Sequence, residues 1–80
     1  MEIELYFVPE DKEGRLLKGF LKRNKIPYKE IITNEINILE KVARTKLRKK
    51  VSILKIRYSS SIGVVIGYNP MALKQLLRVN

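Results

Sequence analysis

The chain contains no cysteine, no histidine and no tryptophan among its 80 residues. Without cysteine it can form no disulfide and offers no thiolate, which excludes thiol–disulfide exchange. Without cysteine and histidine together, a zinc or other soft-metal site lacks its usual ligands. The missing histidine also removes the ordinary base that activates a serine, either Ser52 or the serines at residues 59–61. We therefore expect a protein that is not an enzyme and binds no cofactor.

Long hydrophobic runs are also absent. No apolar stretch approaches the ~20 residues that a membrane-spanning helix requires. The chain begins Met-Glu-Ile-Glu, whereas a secretory leader has a basic start followed by an apolar run. We expect one soluble domain over residues 1–80, in the cytoplasm and with no membrane partner. A composition rich in lysine and isoleucine also suits a thermophilic source.

The second half of the chain lacks acidic residues. Residues 1–40 contain seven Lys or Arg and eight Asp or Glu, whereas residues 41–80 contain ten Lys or Arg and no acid. The formal net charge of +9 therefore arises in the second half. Such asymmetry indicates an anionic partner, most simply nucleic acid or an acidic protein. The alternative is that the charge only keeps a small domain soluble.

The chain itself carries a regular succession of strand and helix patterns. Strands are predicted at residues 3–8, 28–33, 51–58 and 62–66, where β-branched and aromatic residues cluster. Helices are predicted after the capping residues Asp11, Asn34 and Asn69. The resulting order is βαβαββα, an α/β fold with a four-stranded mixed sheet. Its expected core consists of Leu5, Phe7, Leu17, Phe20, Leu21, Leu39, Val42, Ile53, Leu54, Ile56, Val65, Leu73, Leu76 and Leu77.

Several segments match a known pattern in order. Leu-Tyr-Phe-Val-Pro at residues 5–9 is followed by a helix start at residues 11–14 and by Lys-Gly-Phe-Leu at residues 18–21. Residues 27–31 and 65–70 match further along the chain. Together these segments resemble the glutaredoxin branch of the thioredoxin-like fold over nearly the whole sequence. The resemblance implies three flanking helices, the second on one face of the sheet and the other two on the opposite face.

The departures from this family fall at its functional positions. Asp11 stands where glutaredoxins have the nucleophilic cysteine, and Gly14 where they have the resolving one. Ser52 stands where the family has a cis-proline. A cis bond before a residue other than proline costs about 2.5–4 kcal/mol, so we expect this bond to be trans. The resemblance thus implies a redox-inactive scaffold, with Asp11 acting as a helix cap.

The strongest candidate for function is a basic set at the end of the second predicted helix and in the loop after it. Nucleic-acid binding depends largely on such a positive field, because phosphate contacts dominate the affinity. Tyr58 and Tyr68 are candidates for stacking on bases. We therefore interpret the chain as a non-enzymatic module that binds nucleic acid. The basic set comprises Lys41, Arg44, Lys46, Arg48, Lys49 and Lys50, and Lys55 and Arg57 extend it along the next strand.

The resemblance leaves two other hypotheses open. One is a protein- or peptide-interaction module that uses the groove in which the family holds glutathione or a substrate. The other is a relic of thiol metabolism that binds glutathione without turnover. Both would use the groove residues Tyr6, Pro9, Asp11, Val51, Ser52, Gly67 and Tyr68.

Overall fold

The computed structural model describes residues 1–79 and confirms the predicted order of seven elements. The strands are β1 (Glu2–Phe7), β2 (Lys29–Ile32), β3 (Ile53–Arg57) and β4 (Ile62–Ile66). The helices are α1 (Lys12–Arg23), α2 (Ile36–Ala43) and α3 (Pro70–Leu77). The α/β architecture with a four-stranded mixed sheet and three helices is therefore confirmed.

The strands lie in the order β2-β1-β3-β4. β1 runs parallel to β2 and antiparallel to β3, and β3 and β4 form an antiparallel hairpin. The most buried strands, β1 and β3, occupy the centre of the sheet. Gly63 lies in β4, an edge strand as expected, since glycine weakens pairing in a central strand.

The sheet buries apolar side chains on both faces. On one face, α1 and α3 pack through Leu17, Phe20 and Leu73 against residues of β1, β3 and β4. On the other face, α2 packs through Leu39 against Val8 and Ile53. This arrangement matches the placement of helices that the resemblance implied.

α2 has only 8 residues and leaves part of its face of the sheet uncovered. Leu47 extends the apolar stripe of α2 and packs against the same cluster, although the helix ends at Ala43. Two expectations about burial need correction, because Val42 and Leu76 are half-buried at the margins of the core. Leu16 is exposed, since it lies outside the buried stripe of α1.

The helix caps follow the sequence at two of three positions. Asp11 accepts a hydrogen bond from the backbone N–H of Glu13, and Asn69 accepts one from Ala72. The prediction that Asn34 caps α2 was wrong. The helix begins one residue later than that cap requires, so Glu35 takes the cap position without a side-chain hydrogen bond.

In the described part of the chain, each helix is too short or too polar to cross a bilayer. Residues 1–79 also contain no group of three or more acidic side chains placed to hold a metal ion.

Gly14 tests the packing between α1 and the sheet. A Cβ built at Gly14 would overlap the Ser52 hydroxyl and lie 2.9 Å from the Phe7 ring. We expect Gly14→Ala to lower the free energy of unfolding by about 2 kcal/mol, because the site is already full. Gly19→Ala, on the same helix, is the matched control. Its Cβ would approach only the flexible end of Arg23, so this variant gains about 0.5–1 kcal/mol from helix propensity. Urea unfolding of both proteins measures the difference, and a Gly14→Ala protein as stable as wild type contradicts this packing.

Candidate functional site

Asp11, Gly14 and Ser52, the positions that the resemblance assigns to a redox site, are joined by hydrogen bonds. The Asp11 carboxylate accepts the backbone N–H of Glu13 at 3.2 Å and that of Ser52 at 2.7 Å. The fully buried Ser52 hydroxyl accepts the N–H of Val8 at 2.9 Å. Gly14 is also buried, directly beneath this hydroxyl. Asp11, Gly14 and Ser52 therefore lie together, and they connect the start of α1 to the end of β1 and the residue before β3.

The backbone before Ser52 has the expected trans geometry, since residues 1–79 contain no cis peptide bond. The Ser52 carbonyl accepts the N–H of Gly67 at 2.9 Å, which extends the ladder between β3 and β4 by one pair. The backbone N–H, the carbonyl oxygen and the hydroxyl oxygen of Ser52 thus each have a hydrogen-bond partner inside the protein.

A second carboxylate, that of Glu13, accepts a hydrogen bond from a nearby backbone N–H. Glu13 Oε1 accepts the N–H of Tyr68 at 2.8 Å. Gly67, just before it, has φ of 71°, and a Cβ at this position would lie 2.6 Å from the same Glu13 oxygen. Glycine is therefore needed here both for its conformation and for its lack of a side chain. This contact joins residues 55 apart in the sequence, so no local spacing pattern predicts it.

The candidate groove residues do not line one open channel. Val51, Ser52 and Gly67 are buried. Tyr6 packs on the α2 face of the sheet, and Tyr68 packs on the α1/α3 face. Asp11 is half-buried, and Pro9 is exposed, with its carbonyl accepting a hydrogen bond from the Arg15 guanidinium at 2.8 Å.

The acidity of Tyr6 departs from its ordinary value. Burial of the phenol raises the pKa of Tyr6, and the negative charge of Glu4 raises it further. The hydroxyl therefore stays protonated at neutral pH and cannot serve as a general base there.

Two groups of basic residues at and after the end of α2 line separate surface depressions. Lys49 and Lys50 line a depression of about 650 Å³ together with Glu10, Asp11 and Glu13. This part of the surface therefore presents both signs of charge.

The other group lies around the end of α2. Lys41, Arg44 and Lys46 line a depression of about 520 Å³ in which Glu40 is the single acid. Glu40 accepts the backbone N–H of Leu47 at 2.9 Å and lies 3.8 Å from the Lys46 ammonium. Arg44 closes α2 in the left-handed conformation, with φ of 59°.

Lys55 and Arg57 make a smaller contribution to the positive field than the sequence suggested. The Arg57 guanidinium lies 3.8 Å from carboxylate oxygens of both Glu2 and Glu4, which balance its charge. Lys55 is half-buried and sits opposite Glu4 in the β1–β3 register. Both cations lie on the part of the sheet that α2 leaves uncovered.

The two candidate tyrosines are half-buried. Tyr58 and Tyr68 pack against the α1/α3 core, and the Tyr58 hydroxyl donates to the Leu76 carbonyl at 2.6 Å. Tyr58 also lines a surface depression of about 520 Å³ together with Arg44 and Arg57.

No protein-family model, curated protein or solved structure shows a significant match to this chain.

Removal of the Asp11 carboxylate tests the hydrogen-bonded junction. Asp11→Ala leaves the N–H groups of Glu13 and Ser52 without their acceptor, so we expect a loss of about 2–3 kcal/mol in the free energy of unfolding. Glu10→Ala removes the adjacent, exposed carboxylate and should change stability by less than about 0.5 kcal/mol. Chemical denaturation distinguishes them, and equal stability of the two variants contradicts the role of Asp11.

Proposed function

We propose that the chain is a redox-inactive, glutaredoxin-like domain that binds nucleic acid without catalysis, through the cations of residues 41–50. We call these six cations the basic segment. Lys41 and Arg44 lie at the end of α2, and Lys46, Arg48, Lys49 and Lys50 follow them in the chain. The observation that carries the proposal is that most of these cations have no carboxylate partner inside the protein.

The acidic residues are largely engaged within the fold. Six of the eight have a partner that accounts for them: Glu2 and Glu4 with Arg57, Asp11 and Glu13 with backbone N–H groups, Glu30 with Lys18, and Glu40 with Leu47 and Lys46. In contrast, within residues 1–79 no ion pair involves Lys41, Arg44, Arg48, Lys49 or Lys50, and all five are exposed. The protein thus uses its negative charge internally and leaves positive charge for a partner.

The expected mode of binding is contact with the phosphate backbone. An exposed helix end with flexible Lys and Arg side chains provides the positive field that phosphates require. Because contacts with phosphates carry no sequence information, the domain should bind duplex and single strands with little sequence preference.

The salt dependence of binding tests this proposal. With about five phosphates neutralised, the logarithm of the association constant should fall against the logarithm of salt concentration with a slope of about −4. Filter-binding titrations on duplex and single-stranded oligonucleotides, at several salt concentrations, measure it. Binding that does not change with salt, or no binding at low salt, contradicts the proposal.

Two double variants that remove the same charge from different helices locate the binding surface. Lys41→Gln with Arg44→Gln removes two phosphate contacts at the end of α2, so the slope should become shallower by about 1.5 and the affinity should fall at least about tenfold. Lys22→Gln with Arg23→Gln removes the same charge from the last turn of α1. Equal effects of the two double variants would show that net charge, rather than the basic segment, attracts the nucleic acid.

Arg44 also allows stability and binding to be separated. Arg44 and Arg78 end α2 and α3 with φ of 59° and 54°, where glycine is unstrained. We expect Arg44→Gly and Arg78→Gly each to raise the free energy of unfolding by about 0.5–1 kcal/mol. Only Arg44→Gly should weaken nucleic-acid binding. Thermal unfolding and filter binding on the same samples test this, and unchanged affinity of Arg44→Gly removes Arg44 from the interface.

A further inference from the structure

The edge strand β4 lies in the longest uncharged part of the chain. Residues 58–73 contain no charged side chain, although 31% of the whole sequence is charged. The opposite edge, β2, carries Lys29 and Glu30. Charged residues on an edge strand discourage pairing with another chain, and β4 has none.

The direction of the free backbone groups of β4 follows from the hairpin. Tyr58 donates to the Ser61 carbonyl at 2.8 Å, and Gly67 donates to the Ser52 carbonyl at 2.9 Å. Hydrogen-bonded pairs alternate along an antiparallel ladder, so Gly63 and Val65 also turn their N–H and C=O groups toward β3. The same groups of Ile62, Val64 and Ile66 therefore point away from the sheet. In residues 1–79 no other backbone hydrogen bond engages them.

The side chains of these three residues share one face of the sheet. Ile62 and Ile66 are 40% and 44% exposed, and Val64 between them is half-buried against the α2 core. The edge therefore presents three residues, two positions apart along the strand, with unpaired backbone groups and apolar side chains. An added antiparallel strand would pair with these backbone groups and pack against these side chains.

We propose that β4 pairs with β4 of a second copy of this chain, in an antiparallel dimer with a continuous eight-stranded sheet. The two-fold axis passes between the two Val64 residues, and Ile62 of one protomer lies opposite Ile66 of its partner. Each strand presents the same outward groups at the same spacing, so the pairing is self-complementary and closed, as a two-fold interface requires.

A second copy meets less electrostatic repulsion at this edge than at a basic surface of the protein. Two chains of net charge +9 repel each other, and the uncharged residues 58–73 oppose close approach less than the basic surfaces do. Because the two-fold axis is perpendicular to the sheet, both α2 helices lie on the same face of the dimer. The dimer does not depend on nucleic-acid binding, although it would place two basic segments side by side.

Sedimentation velocity without nucleic acid tests the proposal. A five-residue edge is small beside the ~1,600 Å² of a standard interface, so we expect a dissociation constant on the order of 100 µM. Moderate salt should strengthen the dimer by screening repulsion. Ile66→Lys should weaken it at least tenfold. Ile32→Lys is the matched control, because it places the same charge at an exposed isoleucine on β2 and should leave the dimer unchanged.

The register has its own test. Ile62→Glu combined with Ile66→Lys places opposite charges across the proposed interface and should restore the dimer that Ile66→Lys alone loses. A wild-type chain that stays monomeric near 1 mM overturns the proposal and leaves the edge to a different protein. A dimer insensitive to Ile66→Lys, or a double variant that stays monomeric, also overturns it.

Discussion

Ser52 is the junction at which four elements of the fold are held together. Its hydroxyl fixes the residue after β1, its N–H is held by the cap of α1, and its carbonyl continues the β3–β4 ladder. Because the residue is fully buried, each of these groups would be costly to leave unpaired. Gly14 beneath it has no side chain, which allows α1 to lie this close to the sheet. A serine and a glycine at these places thus give a packed junction in which no cysteine chemistry is available.

Two of the carboxylates are held at or beside this junction, unlike the cations that follow α2. Asp11 and Glu13 lie at the start of α1, where they accept backbone hydrogen bonds, and other carboxylates are held in ion pairs with strand or helix residues. The cations after α2 have no comparable role in the fold. Arg44 ends α2 in the left-handed conformation, as Arg78 ends α3, at positions where glycine would be unstrained.

The sequence predicts the elements well because their signals are local. The alternation in β1, the stripe in α1 and the Asn69–Pro70 start of α3 depend on neighbouring residues, and each is confirmed. The start of α2 was misplaced because both Asn34 and Glu35 precede the apolar stripe. The contacts of Glu13 with Tyr68 and of Arg57 with Glu2 join residues 55 apart in sequence, so no spacing pattern predicts them. These long-range contacts decide which charges are available to a partner.

The account depends most on where an anionic partner touches the protein. A titration of the ¹⁵N-labelled chain with a short DNA duplex, followed by amide chemical shifts, measures this directly. The account predicts shifts concentrated in residues 41–50 at low salt, which disappear as the salt concentration rises. Shifts centred instead on Asp11, Ser52 and Tyr68, or no shifts at low salt, would contradict it.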